Sequence, residues 1–541
     1  MPETLDATYE RTLLGINKQT WDYAHRLFQC LVISIRPLHV KEIAELFAIL
    51  PIQHTTPGYN FGWRPENPEE FILSTCSTLV SIVDIGGEKV VQFSHFSVRE
   101  YLTSARIANS APVSHFHILP KPAHTVLARA CLSALHRLDY SIDRTKIQHS
   151  PLALYVAQYW VDHARFEDVS SDIRDGMDRL FDRNKPHLAV WVWLYDVENS
   201  RSRNPLSPRP AQLDAVPLYY AVLCGFHDLS ERLLDSHPQD VNAWGMNHHT
   251  PLHTAAYKGR LDLVVLLLER GADVESRDHQ GQTAIYVASS RGHIEVVRSL
   301  IERGADVNAE CNGNFVGAKR TPLLQVVSGN GSLEIARALL EHGADVNYQD
   351  ACGVSGLCMA LHHPSTDFAQ LLLDHGANPN TSAGIRRGSV LHEASFDGRV
   401  AFVTLLLDYG ANVNILNNLG WTPLHYTAIH GDSKPEVMQV LLDHGADVNA
   451  QTGNYLTALH LAAATGYPQV VEVLLGRGAD PHSRTNEGET PFQLASKWHG
   501  HTQIMRLLSE RTGEDTSMEL VNRHGVGFGG NSSHPSACRI A

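Results

Sequence analysis

Nine times, at intervals of 33 to 38 residues, the chain restarts one short pattern, and this period constrains the fold more than any other feature. The starts are Val216, Thr250, Thr283, Thr321, Ser355, Ser389, Thr422, Thr457 and Thr490. Two of them read Thr-Pro-Leu-His in full, at Thr250 to His253 and Thr422 to His425. About 21 residues later most units reach a glycine followed by Ala-Asp or Ala-Asn: Gly271, Gly304, Gly343, Gly376, Gly410, Gly445 and Gly478. A single unit of this length cannot bury its own apolar face. Neighbouring units can do so only by stacking.

The chemistry of one unit gives the stacked element. Thr250 has the hydroxyl of a helix N-cap, and Pro251 falls at the first helical position, where its missing N–H costs nothing. Leu252 to Tyr257 reads as a short helix that Gly259 ends with a left-handed residue. Leu261, Val264, Val265, Leu267 and Leu268 then recur at helical spacing on a second helix. Gly271 closes that helix and leads into a turn pointing away from the pair. His253, His392, His425 and His460 recur at one position, from which an imidazole can bond to adjacent backbone without any metal. Period and markers together resemble the ankyrin repeat. The resemblance implies an α-solenoid of about nine repeats over residues 214–512, a fold that binds other macromolecules rather than performing chemistry.

Bulk properties suit a soluble intracellular chain. At 541 residues there is room for two to four domains, and 43% apolar residues suffice for real cores. No apolar run approaches a membrane span, and the polar N-terminus lacks signal-peptide character. The eight cysteines show no paired framework, the pattern of reduced thiols in a cytoplasmic protein. A net charge of −14 argues against a nucleic-acid partner, which needs a basic patch.

The first 200 residues read differently. Thr20 to Ile35 has a helical apolar rhythm through Trp21, Ala24, Leu27, Phe28 and Leu31. Arg36-Pro37-Leu38 breaks it, and Val40 to Leu50 forms a second amphipathic helix. After a loop over Pro51 to Pro68, Glu69 to Leu79 predicts a third helix. Val80 to Val83 and Val90 to Phe93 predict two strands joined through Gly86-Gly87. Three helices and a hairpin are the ingredients of a winged-helix-like domain, residues 1–105. A helical connector follows at 106–197, with helices over Leu127 to Leu138, Leu152 to Ala164 and Leu188 to Tyr195. A Pro/Arg/Ser-rich linker occupies 198–213, and the Gly- and Ser-rich tail, 513–541, is expected to be disordered. The fold class is therefore mainly α.

Several ordered blocks carry a second resemblance. Pro2 to Asp6 with Thr8 to Arg11, Arg36-Pro37-Leu38 with Glu42 to Leu46, Phe93 to Leu102, and Pro151 to Ala164 are similar to the region after the nucleotide-binding module in fungal NACHT–ankyrin receptors of the STAND class. That family signals through an NTPase with a G-x-x-x-x-G-K-[ST] phosphate loop, whereas this sequence contains no Gly-Lys dipeptide. Met1 falls where the family's NTPase has already ended, which fits either a short paralogue or a truncated gene model. His95 matches the family's winged-helix histidine that contacts the β-phosphate of ADP. Here that role would require a nucleotide domain supplied in trans, and the competing reading is a packed histidine at the helix junction.

No other catalytic motif is present: neither H-E-x-x-H, nor G-x-S-x-G, nor zinc-type Cys/His spacing. No enzyme activity, cofactor or metal is expected. Binding should instead use hairpin tips and inner-helix ends. The tip candidates are Trp244, Met246, Arg277, His279 and Tyr455, with Leu416 beside them. The inner-helix candidates are Tyr257, Lys258, Arg291, Phe396, Ile429 and His430. Exposed aromatics and arginines concentrate binding energy, which favours Trp244, Tyr257, Arg291 and Phe396.

The expected function is a non-catalytic protein–protein interaction scaffold, the sensor-like half of a NACHT–ankyrin-type signalling receptor. Two alternatives stay open: a regulator or adaptor that sequesters a longer relative, and a fragment of an NTPase switch if the native chain extends upstream. Self-association fits the first. The repeats from Thr321 and Ser355, where Leu324 and Cys358 replace the histidine, are expected to be the softest of the stack. A five-residue insertion between Asn308 and Thr321, around Phe315, marks a further irregularity.

Overall fold

The computed structural model describes residues 5–49, 65–76, 78–139, 147, 150–196, 201–202, 213, 215–312, 319–329, 331–382, 388–429, 435–497 and 501–513. His430, Phe315, most of the 51–68 loop, most of the 198–213 linker and the tail beyond 513 lie outside the described residues. The chain divides into two compact parts, Met1–Asp278 and His279–Ala541.

The amino-terminal part begins with helices Leu5–Leu14 and Trp21–Ile33. A two-residue strand, β1 (Leu38–His39), leads into helix Val40–Ile49, and helix Pro68–Cys76 follows. Strands β2 (Val80–Ile85) and β3 (Glu88–Phe93) pair antiparallel in the register Val80↔Phe93 to Ile85↔Glu88. The sheet order is β1-β3-β2, with Leu38 opposite Val91. Gly86 and Gly87 form the hairpin turn at positive φ. Two short helices follow the sheet, Phe96–Leu102 and Ala105–Asn109.

The connector contributes Pro120–Leu135, Leu152–Ala164, Val169–Asp172, Arg174–Leu180 and His187–Leu194. One apolar core runs without a break from Tyr9 through Phe28, Leu127, Trp160 and Trp191 to Tyr219 and Leu229. Polar ties cross the same region. The buried Glu45 accepts from the Leu152 N–H (2.9 Å) and the Ser150 hydroxyl (3.1 Å), capping the connector helix from the preceding module. The connector also seals the first repeat. Trp160 packs 5.5 Å from Phe226 and meets Trp191 edge-on at 5.2 Å, so the first repeat needs no polar outer face of its own.

Repeated helix pairs follow. In the pair Pro251–Lys258 and Leu261–Glu269, the Thr250 hydroxyl accepts from the His253 N–H, Pro251 opens the helix and Gly259 ends it at φ +67°. Leu252, Ala255, Ala256, Leu263, Val264 and Leu267 are buried. Each large aliphatic among them contributes about 1.5–3 kcal/mol by leaving water.

The carboxy-terminal part repeats this unit from Ala284–Arg291 with Ile294–Glu302 to Pro491–Ser496 with Thr502–Thr512. The pairs from Thr321 and Ser355 are among those that depart from it. Inner helix Pro322–Ser328 ends at Gly329 with φ −102° rather than in a left-handed cap, and Gly356–Ala360 is only five residues long. The insertion before Thr321 is closed by antiparallel pairing of Cys311–Asn312 with Lys319–Arg320, a hairpin the sequence pattern did not reveal.

Candidate interaction surface

The turns between helix pairs are held in register by one repeated side chain. Asn347 donates to the Gly376 carbonyl (3.1 Å) and accepts from the Asn378 N–H (2.7 Å). Asn414 does the same with Gly445 (3.2 Å) and Asp447 (2.8 Å), and Asn449 with Gly478 (3.3 Å) and Asp480 (2.8 Å). Each asparagine fixes the next turn by satisfying one backbone donor and one acceptor. The signal was present in the sequence, four residues after Gly343, Gly410 and Gly445, and went unread.

A second tie runs beneath the turns. His392 Nδ1 accepts from the Ser389 N–H (3.0 Å), and its Nε2–H donates to the Trp421 carbonyl of the next repeat (3.0 Å). His425 bridges Thr422 to Leu456 and His460 bridges Thr457 to Glu489 in the same way, each at 3.1 and 3.2 Å. Burial lowers the pKa of all three, His425 to about 4, and the carbonyl bonds oppose the shift. These imidazoles are neutral struts, carrying the proton on Nε2.

On this frame the expected contact residues fall into different settings. Trp244 is 56% exposed on its tip and lies 4.5 Å from the His248 ring, in a loop where Asn247 and His248 take positive φ. Met246 is half-buried beside it, and Arg277 is exposed. Tyr257 and Lys258 are half-buried at an inner-helix end, with the ammonium 5.4 Å from the ring.

In the carboxy-terminal part, His279 and Arg291 are exposed, whereas Ile429 is half-buried. Phe396 is half-buried and edge-on to Tyr426 at 6.1 Å, so much of its surface serves packing. Tyr455 is 55% exposed. It shares its surroundings with Leu416 and with Leu419, which sequence reasoning missed; both are more than 60% exposed on the adjoining tip. The two tips touch: a Cβ on Gly420 would lie 3.3 Å from the Gly453 nitrogen. No charged residue occurs from Ile415 to Trp421 or from Gln451 to Leu456.

His95 is the N-cap of helix Phe96–Leu102, where its side chain accepts from the Ser97 N–H, and its ring lies 4.3 Å from the exposed Phe96. His249 lies 3.3 Å from the buried Asp278 carboxylate. Among the described residues, no group of three or more His, Cys, Asp or Glu side chains is placed to hold a metal ion. None of the described helices is long and apolar enough to cross a membrane. Of the described cysteines, Cys352 is exposed and the others are buried.

Helix pairs stacked in register, with tips projecting from them, define a repeat protein of the helix–turn–helix class. The model of ankyrin repeats in three copies matches residues 218 to 522 in overlapping segments, and the chain belongs to the ankyrin-repeat family. It is similar to the azaphilone pigments biosynthesis cluster protein L of Monascus ruber, at 29% identity over 290 residues. That match covers 51% of this chain and 60% of the relative. Alpha-latrocrustotoxin-Lt1a of Latrodectus tredecimguttatus is 33% identical over 89 residues, 16% of this chain and 6% of the toxin. Among solved structures, the ankyrin repeat domain of Bcl-3, a member of the IkappaB family, is 30% identical, with a TM-score of 0.39. The similarity covers 43% of this chain and all of that one.

Proposed function

We propose that this chain is a non-catalytic protein-interaction scaffold that binds a partner on its hairpin tips and inner-helix ends. The observation that carries this is the pairing of rigid turns with outward apolar side chains. Asparagine clamps and histidine struts fix the backbone of the tips at Leu416, Leu419 and Tyr455, so little ordering entropy remains to be lost on binding. Ankyrin repeats supply this kind of platform generally, and protein partners follow from the family.

The finer reading makes the chain the sensor-like half of a NACHT–ankyrin-type receptor in the cytoplasm. Its modules would be a winged-helix-like domain at 1–105, a connector at 106–197 and repeats at 214–512. The helix–β1–helix–helix–β2–β3 order, with β3 central in the sheet, supports the first module. The sequence blocks named above support the receptor context.

A photo-crosslinking residue placed singly at Trp244, Tyr455 and Arg298 tests the surface. Arg298 stands exposed on an outer helix. Protein adducts at the two tips and none at Arg298 are expected; equal labelling at all three positions would contradict the reading. The receptor context is tested by immunoblot of the endogenous protein with an antibody to the repeats. A band near 59.8 kDa fits a scaffold or regulator without a motor, and a much larger band fits an NTPase switch.

A further inference from the structure

We infer that Tyr455 anchors a docking site, shared with Leu416 and Leu419 on the adjoining tip, for an uncharged apolar segment of a protein partner. This rests on the scaffold reading and names the chemistry of what one pair of its tips binds.

Described tips turn through a left-handed residue two positions before the next repeat starts. Glycine fills that position at Gly281, Gly353, Gly420 and Gly488, with φ between +72° and +78°. Glycine adopts this backbone without the steric cost that a Cβ brings. Tyr455 stands at the same position before Thr457, at φ +60°. The turn itself does not use the ring. It closes through backbone, the Tyr455 N–H donating to the Thr452 carbonyl (2.9 Å) and the Thr452 N–H to the Leu456 carbonyl (2.9 Å).

The tip before Thr250 also carries a side chain there, His248 at φ +59°, but that ring packs 4.5 Å from Trp244. Tyr455 has no comparable partner. Among the described residues its ring meets no other aromatic ring and its hydroxyl makes no hydrogen bond, while 55% of it is exposed. Backbone strain of this kind persists at ligand-clamping positions, where the strained side chain serves recognition.

The surroundings select the occupant. The two tips meet through their backbones: a Cβ on Gly420 would lie 3.3 Å from the Gly453 nitrogen, and one on Gly453 would lie 3.8 Å from the Leu419 carbonyl oxygen. Leu416 and Leu419 stand exposed on one side of this junction and Tyr455 on the other. Other tips carry charge, Asp278 on one, Asp350 on another and Glu487 on a third, whereas these two carry none. Covering them therefore desolvates no charge, and a charged segment would find no counter-charge there. An apolar segment gains by leaving water against three outward side chains, on backbones that Asn414 and Asn449 already hold.

The test is selection of a random peptide library on the full-length chain, depleted against Tyr455→Gly, followed by fluorescence anisotropy of the enriched peptides. Sequences poor in Asp, Glu, Lys and Arg and rich in large apolar residues are expected. Tyr455→Gly and the double variant Leu416→Gln with Leu419→Gln should each weaken binding about tenfold. Tyr455→Phe should keep the affinity, and Arg298→Glu should leave it unchanged. Tyr455→Gly should also melt no lower than the unmodified chain, since glycine suits this φ; a merely structural tyrosine would lower the melting temperature on removal.

Charged enriched peptides, a library that yields no Tyr455-dependent peptide, or early melting of Tyr455→Gly would each overturn the proposal. So would dimerisation seen by sedimentation and lost in Tyr455→Gly, because the occupant would then be a second copy of the chain. Protein adducts at the tips with peptides indifferent to Tyr455 would remove this inference and leave the scaffold reading standing. Tyr455-dependent apolar peptides without protein adducts at the tips would do the reverse.

Discussion

The repeats that start at Ser389, Thr422 and Thr457 and those that start at Thr321 and Ser355 share a backbone plan but differ in what joins them to their neighbours. In the first group a buried histidine satisfies its own helix cap and the next repeat's backbone at once. In the second, Leu324 and Cys358 stand at that position, and the caps rest on the Thr321 and Ser355 side chains alone. Other contacts take over there. Tyr286 donates to Gln325 (2.9 Å), Arg399 Nη1 donates to the Leu361 carbonyl (2.7 Å), and His363 bonds to the Val327 carbonyl. These ties involve partly exposed groups, whereas the struts are buried. The difference teaches that one residue per repeat can couple helix capping to stacking, and that a stack can lose it locally and still hold its register.

The largest effect should come from removing a strut. His425→Ala leaves the Thr422 N–H and the Leu456 carbonyl unpaired in a buried site and opens a cavity, costing about 3 kcal/mol. Cys358→Ala, at the equivalent position of a strutless repeat, should cost about 1 kcal/mol, the ordinary size for a small core change. Local opening free energies from hydrogen exchange read both, and equal costs would erase the distinction.

Acid should separate the groups next. A histidine with a folded pKa below its unfolded value binds fewer protons when folded, so stability rises with pH across the gap. The His425 contribution is present in full above pH 6.5 and is lost as pH falls from there to about 4, on the order of 3 kcal/mol. His392 and His460 shift in the same direction. Exchange measured across this range should accelerate in the strutted repeats more than in those from Thr321 and Ser355.

Smaller effects test the remaining ties. Asn414→Ala removes two exposed bonds to the next turn and should cost about 1–2 kcal/mol. Thr321→Ala removes a lone N-cap and should cost about 1 kcal/mol. Thermal unfolding followed by circular dichroism would rank the two, and a larger cost at Thr321 than at Asn414 would reverse the assignment of what holds the turns.

Much of the stack was legible because its determinants are local. Thr250, Pro251 and Gly259 act within their own helix, and the His392, His425 and His460 positions recur with the period. Gln493 stands at the same position, its side chain accepting from the Thr490 N–H (3.0 Å) where the repeats from Ser389, Thr422 and Thr457 use histidine. What escaped depends on distant partners. Strand β1 is two residues long and exists only because Leu38 and His39 meet Val91 and Val90. The core shared by the amino-terminal modules and the first repeat has no signature in any short window. The candidate surface divided in the same manner. Trp244 and Tyr455 were readable as tip residues, but Leu419 needed the turn geometry that turns it outward.

Hydrogen exchange of the full chain, resolved to single inner helices, tests the central claim most directly. Pro322–Ser328 and Gly356–Ala360 should exchange faster than Val390–Phe396, Pro423–Ile429 and Ala458–Thr465 at neutral pH. Equal protection across all five helices would contradict the view that the buried histidines set the stiffness of the stack.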